Sequence, residues 1–522
     1  MDKKQYVPSP EDFAFVNEGE RLHDKKFEDK PIGYFKDAWL RFRKNKASIV
    51  ATVIIVLIVL YAIITPLCIR NYDSTFMDPY YAKNAPYLPA FSKTGIFNGG
   101  RDITYNERAY INMMAIAVGA EDADGNTTLP LMEAQQSKYA ALNSFYGTKE
   151  DAAKLYYNTN VNTYMLVGFI YKQVSQAEYQ RILAWQEENG IQVLYPLIAS
   201  NEYTFTSPDP SNANWWYKTD SKGTPMTANA SGKLKSRDYS DDLVLEDNYK
   251  RDAEGNPVYY AYVGGGDSGT AEYQIRVLYY NYYIYQNGFE PSYFLGTDAQ
   301  GYDLALRMAK GIQLSLLIAV SVSVINFILG AMYGAVEGYY GGVVDITLER
   351  VSDILAGVPF IVVATLFQIH LAAKVGAIPC LLFAFVMTGW IGTASEVRTQ
   401  FYRFKNQEYV MAARTLGARD SRIIWKHIFP NSLGTIITSS ALVIPGVIFS
   451  ESMLSFLGIV NLGGTKMTSL GALLSAASSL WTVYPHLMLY PALVISLLMI
   501  CFNLFGNGLR DAFNPSLRGS DD

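Results

Sequence analysis

Few residues in this 522-residue chain have types and spacings that could do chemistry. Asp122, Asp124, Asn126 and Glu133 stand at positions 1, 3, 5 and 12 of a calcium loop, with Thr127 where the sharp turn wants Gly. Calcium is therefore a candidate ligand there. A sister string, Asp252-Ala-Glu-Gly-Asn256, has no closing Glu and reads as a hairpin turn. Ser231-Gly-Lys233-Leu234 is the nearest approach to a phosphate loop. It lacks both the leading Gly and the Ser/Thr that would hold Mg²⁺. The four His are scattered and the three Cys all lie in apolar runs, so neither a ligand set nor a disulfide framework is expected. These features predict no catalytic group and no ATP site on this chain. Glu451 is the one ionisable residue deep in an apolar run that needs weighing. It either faces a translocation path or touches solvent beside Ser450 or Ser455; the second is the expected arrangement. Pro445 and Gly446, just before it, permit a kink or hinge.

A different kind of chemistry, docking, is suggested by residues 408–431. This polar stretch lies between long apolar runs and reads as two short helices joined by a turn. Glu408, Ala412 and Leu416 share one helical face, with Ala413 beside them. Gly417 is a natural stop, since Gly enters the left-handed conformation without steric cost. Asp420 is expected to cap the second helix and Pro430 to close it. The small side chains of Ala412, Ala413 and Gly417 would let another backbone come close.

The spacing of Glu408, Ala412-Ala413, Gly417, Ile428 and Pro430 resembles the EAA loop of bacterial ABC-importer permeases. The longer string through Arg422-Ile-Ile424 and His427-Ile-Phe-Pro-Asn431 is similar to the oligopeptide/dipeptide/nickel branch, of OppC/DppC type, with Phe429 where that family usually has Leu. Residues 295–303 resemble its LGTDxxGRD signature, with Tyr302 in place of Arg, and Gly338–Gly342 with Asp345 is also family-like. The resemblance implies a type I ABC-importer permease fold. It also implies partners: a second permease of OppB/DppB type, two ABC ATPases of OppD/OppF type that carry ATP and Mg²⁺, and an extracytoplasmic substrate-binding lipoprotein. Glu408 and Arg414 would then make polar contacts with an ATPase. The cargo would be oligopeptides or dipeptides, with nickel or another small solute as the alternative.

These residues need elements to hold them. Half of the chain is hydrophobic and 17% is charged, which suggests membrane segments diluted by a sizeable polar domain. Residues 1–46 are polar, without a signal peptide. They include an amphipathic helix with Phe35, Ala38, Trp39 and Phe42 on one face, expected to lie on the membrane or to pack on the protein. Residues 47–69 are uncharged and long enough for a bilayer core of about 30 Å. Residues 70–294 are rich in Tyr, Asn, Asp and Gly and form an inserted α+β domain. There, Ser175 and Glu178 make a capping box for a helix ending near Gly190, and 191–198 and 277–285 read as strands. The Tyr-rich surface could dock the lipoprotein or peptide. Residues 295–510 hold five further spans, about 311–336, 354–371, 376–394, 433–452 and 486–506, with the EAA loop at 395–431. Residues 511–522 form a tail. The expected fold class is an all-α polytopic membrane protein with six transmembrane helices and an α+β insertion between the first two.

Charge sets the expected orientation. Arg398, Arg403, Lys405, Arg414, Arg419, Arg422 and Lys426 crowd the EAA loop, and Arg510 and Arg518 follow the last span. The positive-inside rule puts these, and both termini, in the cytoplasm of a bacterial cell and 70–294 outside. A membrane-anchored extracellular binding protein is the competing class. It would need no EAA loop. A channel or secondary transporter would show internal repeats or several intramembrane acids.

Overall fold

A computed structural model describes residues 34–69, 75–106, 142–151, 154–197, 250–264, 272–464 and 467–513, with short strands at 204–206, 217–219, 226–228 and 234–236. The predicted calcium ligands Asp122, Asp124, Asn126 and Glu133 lie outside the described residues.

The amphipathic stretch forms α1 (Tyr34–Lys44). Ala38 and Phe42 are buried against Phe505, Leu509 and Ala512, while Trp39 stacks on Phe42 and stays exposed. Of the two expected arrangements, the aromatic face therefore packs on the protein. Asn45 then caps α2 (Lys46–Cys68) by accepting the Ser48 N–H at 3.2 Å.

The polar region that follows is α+β. It begins with the short α3 (Pro89–Ser92) and contains β1 (Gly100–Asn106), β2 (Leu142–Asp151) and β3 (Lys154–Asn162) in an antiparallel sheet ordered β1-β3-β2. Next come β4 (Phe169–Ser175), α4 (Gln176–Asn189) and the two-residue β5 (Leu194–Tyr195). Ser175 accepts the Glu178 N–H at 3.2 Å and Gly190 ends α4 at φ +62°. Two small pairs follow, β6 (Thr204–Thr206) with β7 (Tyr217–Thr219) and β8 (Met226–Ala228) with β9 (Leu234–Ser236). Finally, β10 (Tyr260–Tyr262) and β11 (Glu272–Leu278) complete a second sheet, β10-β11-β4.

The strand read over 277–285 is corrected. β11 stops at Leu278, and Tyr279–Asn287 is a helix, α5. Its side chains from Tyr279 to Ile284 are all buried, so period-2 β-propensity gave way to packing on every side. The strand read over 191–198 shrinks to β5 within its described part. Tyrosines make the core of this region. Tyr81 lies 5.0 Å, centroid to centroid, from both Tyr164 and Tyr279. Burial pushes the Tyr279 phenol far up, and Asp78, which accepts its hydroxyl at 2.6 Å, adds to that shift.

The two ends of this region pair with each other. Tyr87 and Tyr293 exchange backbone hydrogen bonds of 2.9 and 2.8 Å, Lys83 N–H donates to the Asp298 carbonyl at 2.9 Å, and Asp78 N–H to that of Gly301 at 3.1 Å. Gly301 has φ +99°, and a Cβ there would sit 1.9 Å from the Asp78 carbonyl oxygen. In the same turn Asp298 accepts the N–H groups of Gln300, Gly301 and Tyr302 at 2.9 to 3.0 Å. Asp303 caps the next helix by accepting the Leu306 N–H at 3.1 Å. At Tyr302, where the signature has Arg, the Arg307 guanidinium stacks 4.6 Å above the ring.

The remaining helices are α6 (Leu304–Tyr340), α7 (Gly342–Ala356), α8 (Phe360–Val375), α9 (Ala377–Phe404), α10 (Glu408–Thr415), α11 (Asp420–Phe456), α12 (Leu470–Ala477) and α13 (Pro485–Phe513). Among the described residues, α2, α6, α9, α11 and α13 are long and apolar enough to cross a membrane. α7 and α8 together make a sixth candidate, bent by 69°. The bend falls at Gly357-Val358-Pro359, where Pro offers no N–H and constrains the residue before it. At 37 residues α6 is about 55 Å long. It outruns the apolar run at both ends because the α+β region packs on its start, through Leu306, and α9 on its end.

Candidate functional site

The stretch 408–431, read from the sequence as a docking element, is a helical hairpin, built as follows. α9 continues past the apolar run to Phe404, because α6 offers it a glycine stripe, Gly330, Gly334 and Gly338. A Cβ at Gly334 would lie 2.1 Å from the Ala394 carbonyl oxygen, and one at Gly338 2.5 Å from Phe401 Cβ. After a turn at 405–407, α10 begins with Glu408 in its first turn and Arg414 in its last, both favourable for the helix dipole. Gly417 takes φ +81° with open space around it, so the turn needs Gly for conformation rather than room.

The expected roles of Asp420 and Pro430 are corrected. Arg419 occupies the N-cap position without a side-chain cap. Asp420 instead accepts the Tyr339 hydroxyl at 2.5 Å, which ties the hairpin to the end of α6. Pro430 ends nothing, since α11 runs on through it to Phe456. The turn before it widens into a π-helix, with the Phe429 N–H bonded to the Ile424 carbonyl five residues back. That wider turn accommodates a residue with no N–H to give.

The predicted docking residues divide by direction. Val410, Ile423, Ile424 and Ile428 are buried in one cluster with Phe401 and Ala335, so Ile428 anchors the hairpin from within. Arg414 is exposed but reaches back to α6: its guanidinium carbon lies 5.7 Å from the Tyr339 ring centroid and Nη2 donates to the Tyr339 hydroxyl at 3.4 Å. Glu408, Ala412, Gly417 and Pro430 are exposed and Ala413 is half-buried. Beside them stand Met411 and, with 88% of its surface open, Leu416. Leu416 was visible in the sequence as part of the Glu408 face, and its exposure was not.

Below the hairpin lies an ion network. Arg398 on α9 makes a fork with Asp345 of α7, Nε and Nη2 donating at 2.6 and 2.9 Å, and a second with Glu349 at 2.7 and 3.0 Å. Tyr402 donates to Asp345 at 2.5 Å, and Lys405 Nζ to the Gly338 carbonyl at 2.9 Å. Burial pulls the Lys405 ammonium below its usual range. Asp345 and Arg398 were each noted in the sequence. Nothing there joins residues so far apart.

Glu451 differs from expectation. It is fully buried rather than in contact with solvent. Its carboxylate accepts Ser315 Oγ at 2.8 Å, Ser455 Oγ at 3.1 Å and Ser452 Oγ at 3.5 Å, and Ser469, the N-cap of α12, also reaches it. Ser450 is not in this set. The group bridges α6, α11 and the α12 segment at one point. Pro445 and Gly446 lie one to two turns earlier in an unbroken α11. Glu451→Leu removes the shared acceptor and is expected to lower stability by about 2 kcal/mol, while Glu451→Gln, which keeps one carbonyl, costs less than about 1 kcal/mol. Thermal unfolding of the purified variants checks the order. Equal losses would mean that volume, not hydrogen bonding, matters there.

No group of His, Cys, Asp or Glu among the described residues could hold a metal ion.

With this geometry in view, the family model described as "Binding-protein-dependent transport system inner membrane component" matches residues 327–519. One for the "N-terminal TM domain of oligopeptide transport permease C" matches residues 33–89. The oligopeptide transport system permease protein OppC of Bacillus subtilis is 38% identical over 226 residues, 43% of this chain and 72% of that protein. OppC of Haemophilus influenzae is 41% identical over 232 residues, 44% of this chain and 72% of that one. The dipeptide transport system permease protein DppC of B. subtilis is 38% identical, covering 43% and 69%. Among solved structures, an inward-facing MetNI methionine ABC transporter chain aligns at 15% identity and TM-score 0.33, over 40% of this chain and 96% of that one.

Proposed function

This chain belongs to the OppC/DppC-like family of ABC-importer permeases, and from that premise we propose that it forms, with a second permease subunit, the path by which oligopeptides or dipeptides enter a bacterial cell. An extracytoplasmic binding lipoprotein delivers the peptide. Two ABC ATPases hydrolyse ATP on the opposite side, and this subunit is a non-enzymatic transporter component.

The observation that carries the reading is the hairpin. α10 and its C-terminal cap present Glu408, Met411, Ala412 and Leu416 outward, while Val410 and Ile428 fix them from behind. An exposed Leu on a braced polar hairpin suits insertion into a partner's groove. The basic residues around it support a cytoplasmic position for that partner. Closure of the ATPases on ATP would push the hairpin. Tyr339, Asp420 and the Arg398 forks would pass the push to α6, α7 and α9, and the permease pair would alternate between outward- and inward-open forms.

Two variants test this. Ala412→Cys should be captured by a short bifunctional crosslinker on the ATPase subunit; a hairpin that never captures it removes the proposal. Leu416→Asp should leave this chain folded, because the residue packs on nothing in it, yet cut peptide uptake by about tenfold or more through the buried charge it introduces. Uptake at the parental rate would also refute docking at this face.

A further inference from the structure

We propose that α3 and the turn after it, residues 89–97, form an outer-leaflet anchor that dips into the lipid headgroup region beside the membrane-spanning helices. The turn is tightly made. Leu88 N–H donates to the Phe97 carbonyl at 2.9 Å, closing the loop, and Thr94 N–H to that of Phe91 at 2.9 Å. Its apolar side chains nevertheless point away from the protein: Phe91 is 55% exposed and Ile96 61%. Phe97 holds φ +53°, a conformation a bulky L-residue seldom adopts. Its ring sits 5.3 Å from that of Phe294, itself 46% exposed.

The position of this patch selects lipid as its occupant. Phe294 is followed by Leu295, which lines an apolar cleft of about 520 Å³ with Tyr61 of α2, Met308 of α6 and Tyr490 of α13. That cleft exposes only apolar surface and lies near the outer ends of three membrane-spanning helices. The 89–97 patch is therefore continuous with the lipid-facing surface, at its rim. Trp481 and Val483, just before α13, are also exposed, and aromatic residues favour the membrane interface. Lys93, exposed between Phe91 and Ile96, is placed to reach lipid phosphate while its stem stays with the apolar tips. Arg101 and Lys83, stacked over Tyr484 at 5.0 and 5.9 Å, add positive charge nearby. A turn with two apolar tips, a Lys and an aromatic neighbour is what an interfacial anchor requires. It would fix the height of the outer domain above the bilayer.

The test uses the full chain in lipid nanodiscs, with Cys68, Cys380 and Cys501 replaced. A bimane label is placed singly at Ile96→Cys, at Phe91→Cys, and at Tyr146→Cys, an exposed control on β2. Lipid carrying a nitroxide near the headgroup should quench the first two at least about threefold more than the control, since interfacial side chains reach the headgroup boundary. Quenching of Ile96→Cys and Phe91→Cys by a water-soluble nickel chelate instead, at the level of the control, would overturn the anchor. Labels silent to both quenchers would overturn it equally, because a protein partner would then cover the patch.

Discussion

Arg398→Ala is expected to lower stability by about 2–3 kcal/mol and to cut ATP-driven uptake by about tenfold. The two effects have one cause. Arg398 gives four hydrogen bonds to two carboxylates on α7, and its removal leaves Asp345, whose side chain is 9% exposed, without its cation. Breaking one partner of a buried pair costs more than the pair itself contributes, because the remaining charge is stranded. Arg398 is 22% exposed, so water relieves part of that cost and the lower end of the range applies. Lys in its place keeps charge but loses the fork, and should recover only part of the stability. The functional loss follows from what the fork joins. α7 is the first limb of the bent pair and α9 leads directly into the hairpin, so without the fork a push on α10 would reach α6 and α9 but couple only weakly to α7. Thermal unfolding and vesicle uptake, measured on Arg398→Ala, Asp345→Asn and the double variant, check this. If the double variant loses as much as the sum of the singles, the residues do not act together and the proposed transmission through α7 is wrong.

Gly334→Leu should be the most damaging single substitution in the helical core. The Ala394 carbonyl lies where its Cβ would go, and Val397 Cβ would be 2.9 Å away. Both obstacles are backbone or the base of a side chain, so neither can rotate aside. α6 and α9 would have to separate along the whole stripe from Gly330 to Gly338. That would withdraw the support of Ala335 and Phe401 from Val410 and Ile423 of the hairpin. The expected cost is about 3 kcal/mol or more, with loss of detergent-stable protein and of uptake together. Even Gly334→Ala should be measurably destabilising. Expression, monodispersity and unfolding temperature are the readouts. Normal values for Gly334→Leu would mean that the two helices do not pack as closely as described.

The sequence alone carried much of this. Runs of uncharged apolar residues locate spans because a bilayer offers no water to unpaired backbone groups, and that constraint acts on each segment separately. Caps are local too, so Ser175 with Glu178 and Gly417 were legible from a few neighbours. The docking stretch was recognisable for the same reason, since α10 and its turn lie within ten residues. What eluded the sequence depended on distance. Asp345 meets Arg398 and Tyr339 meets Asp420 only after α6, α7 and α9 have packed. Pro430 looked like an end because its missing N–H is a local fact, whereas the widened turn that absorbs it belongs to the packed helix. Residues 277–285 looked like a strand because their period-2 preference is local, and from Tyr279 on burial on every side outweighed it. Glu451 looked wet because its neighbours in the chain include serines near a helix end; Ser315 and Ser469, brought from other segments, made it dry. Local rules, which each residue obeys with its nearest neighbours, placed the elements and the hairpin. Which of the hairpin's side chains stay exposed and which pack inward was decided by packing between separate segments, where burial energy outweighs any local preference.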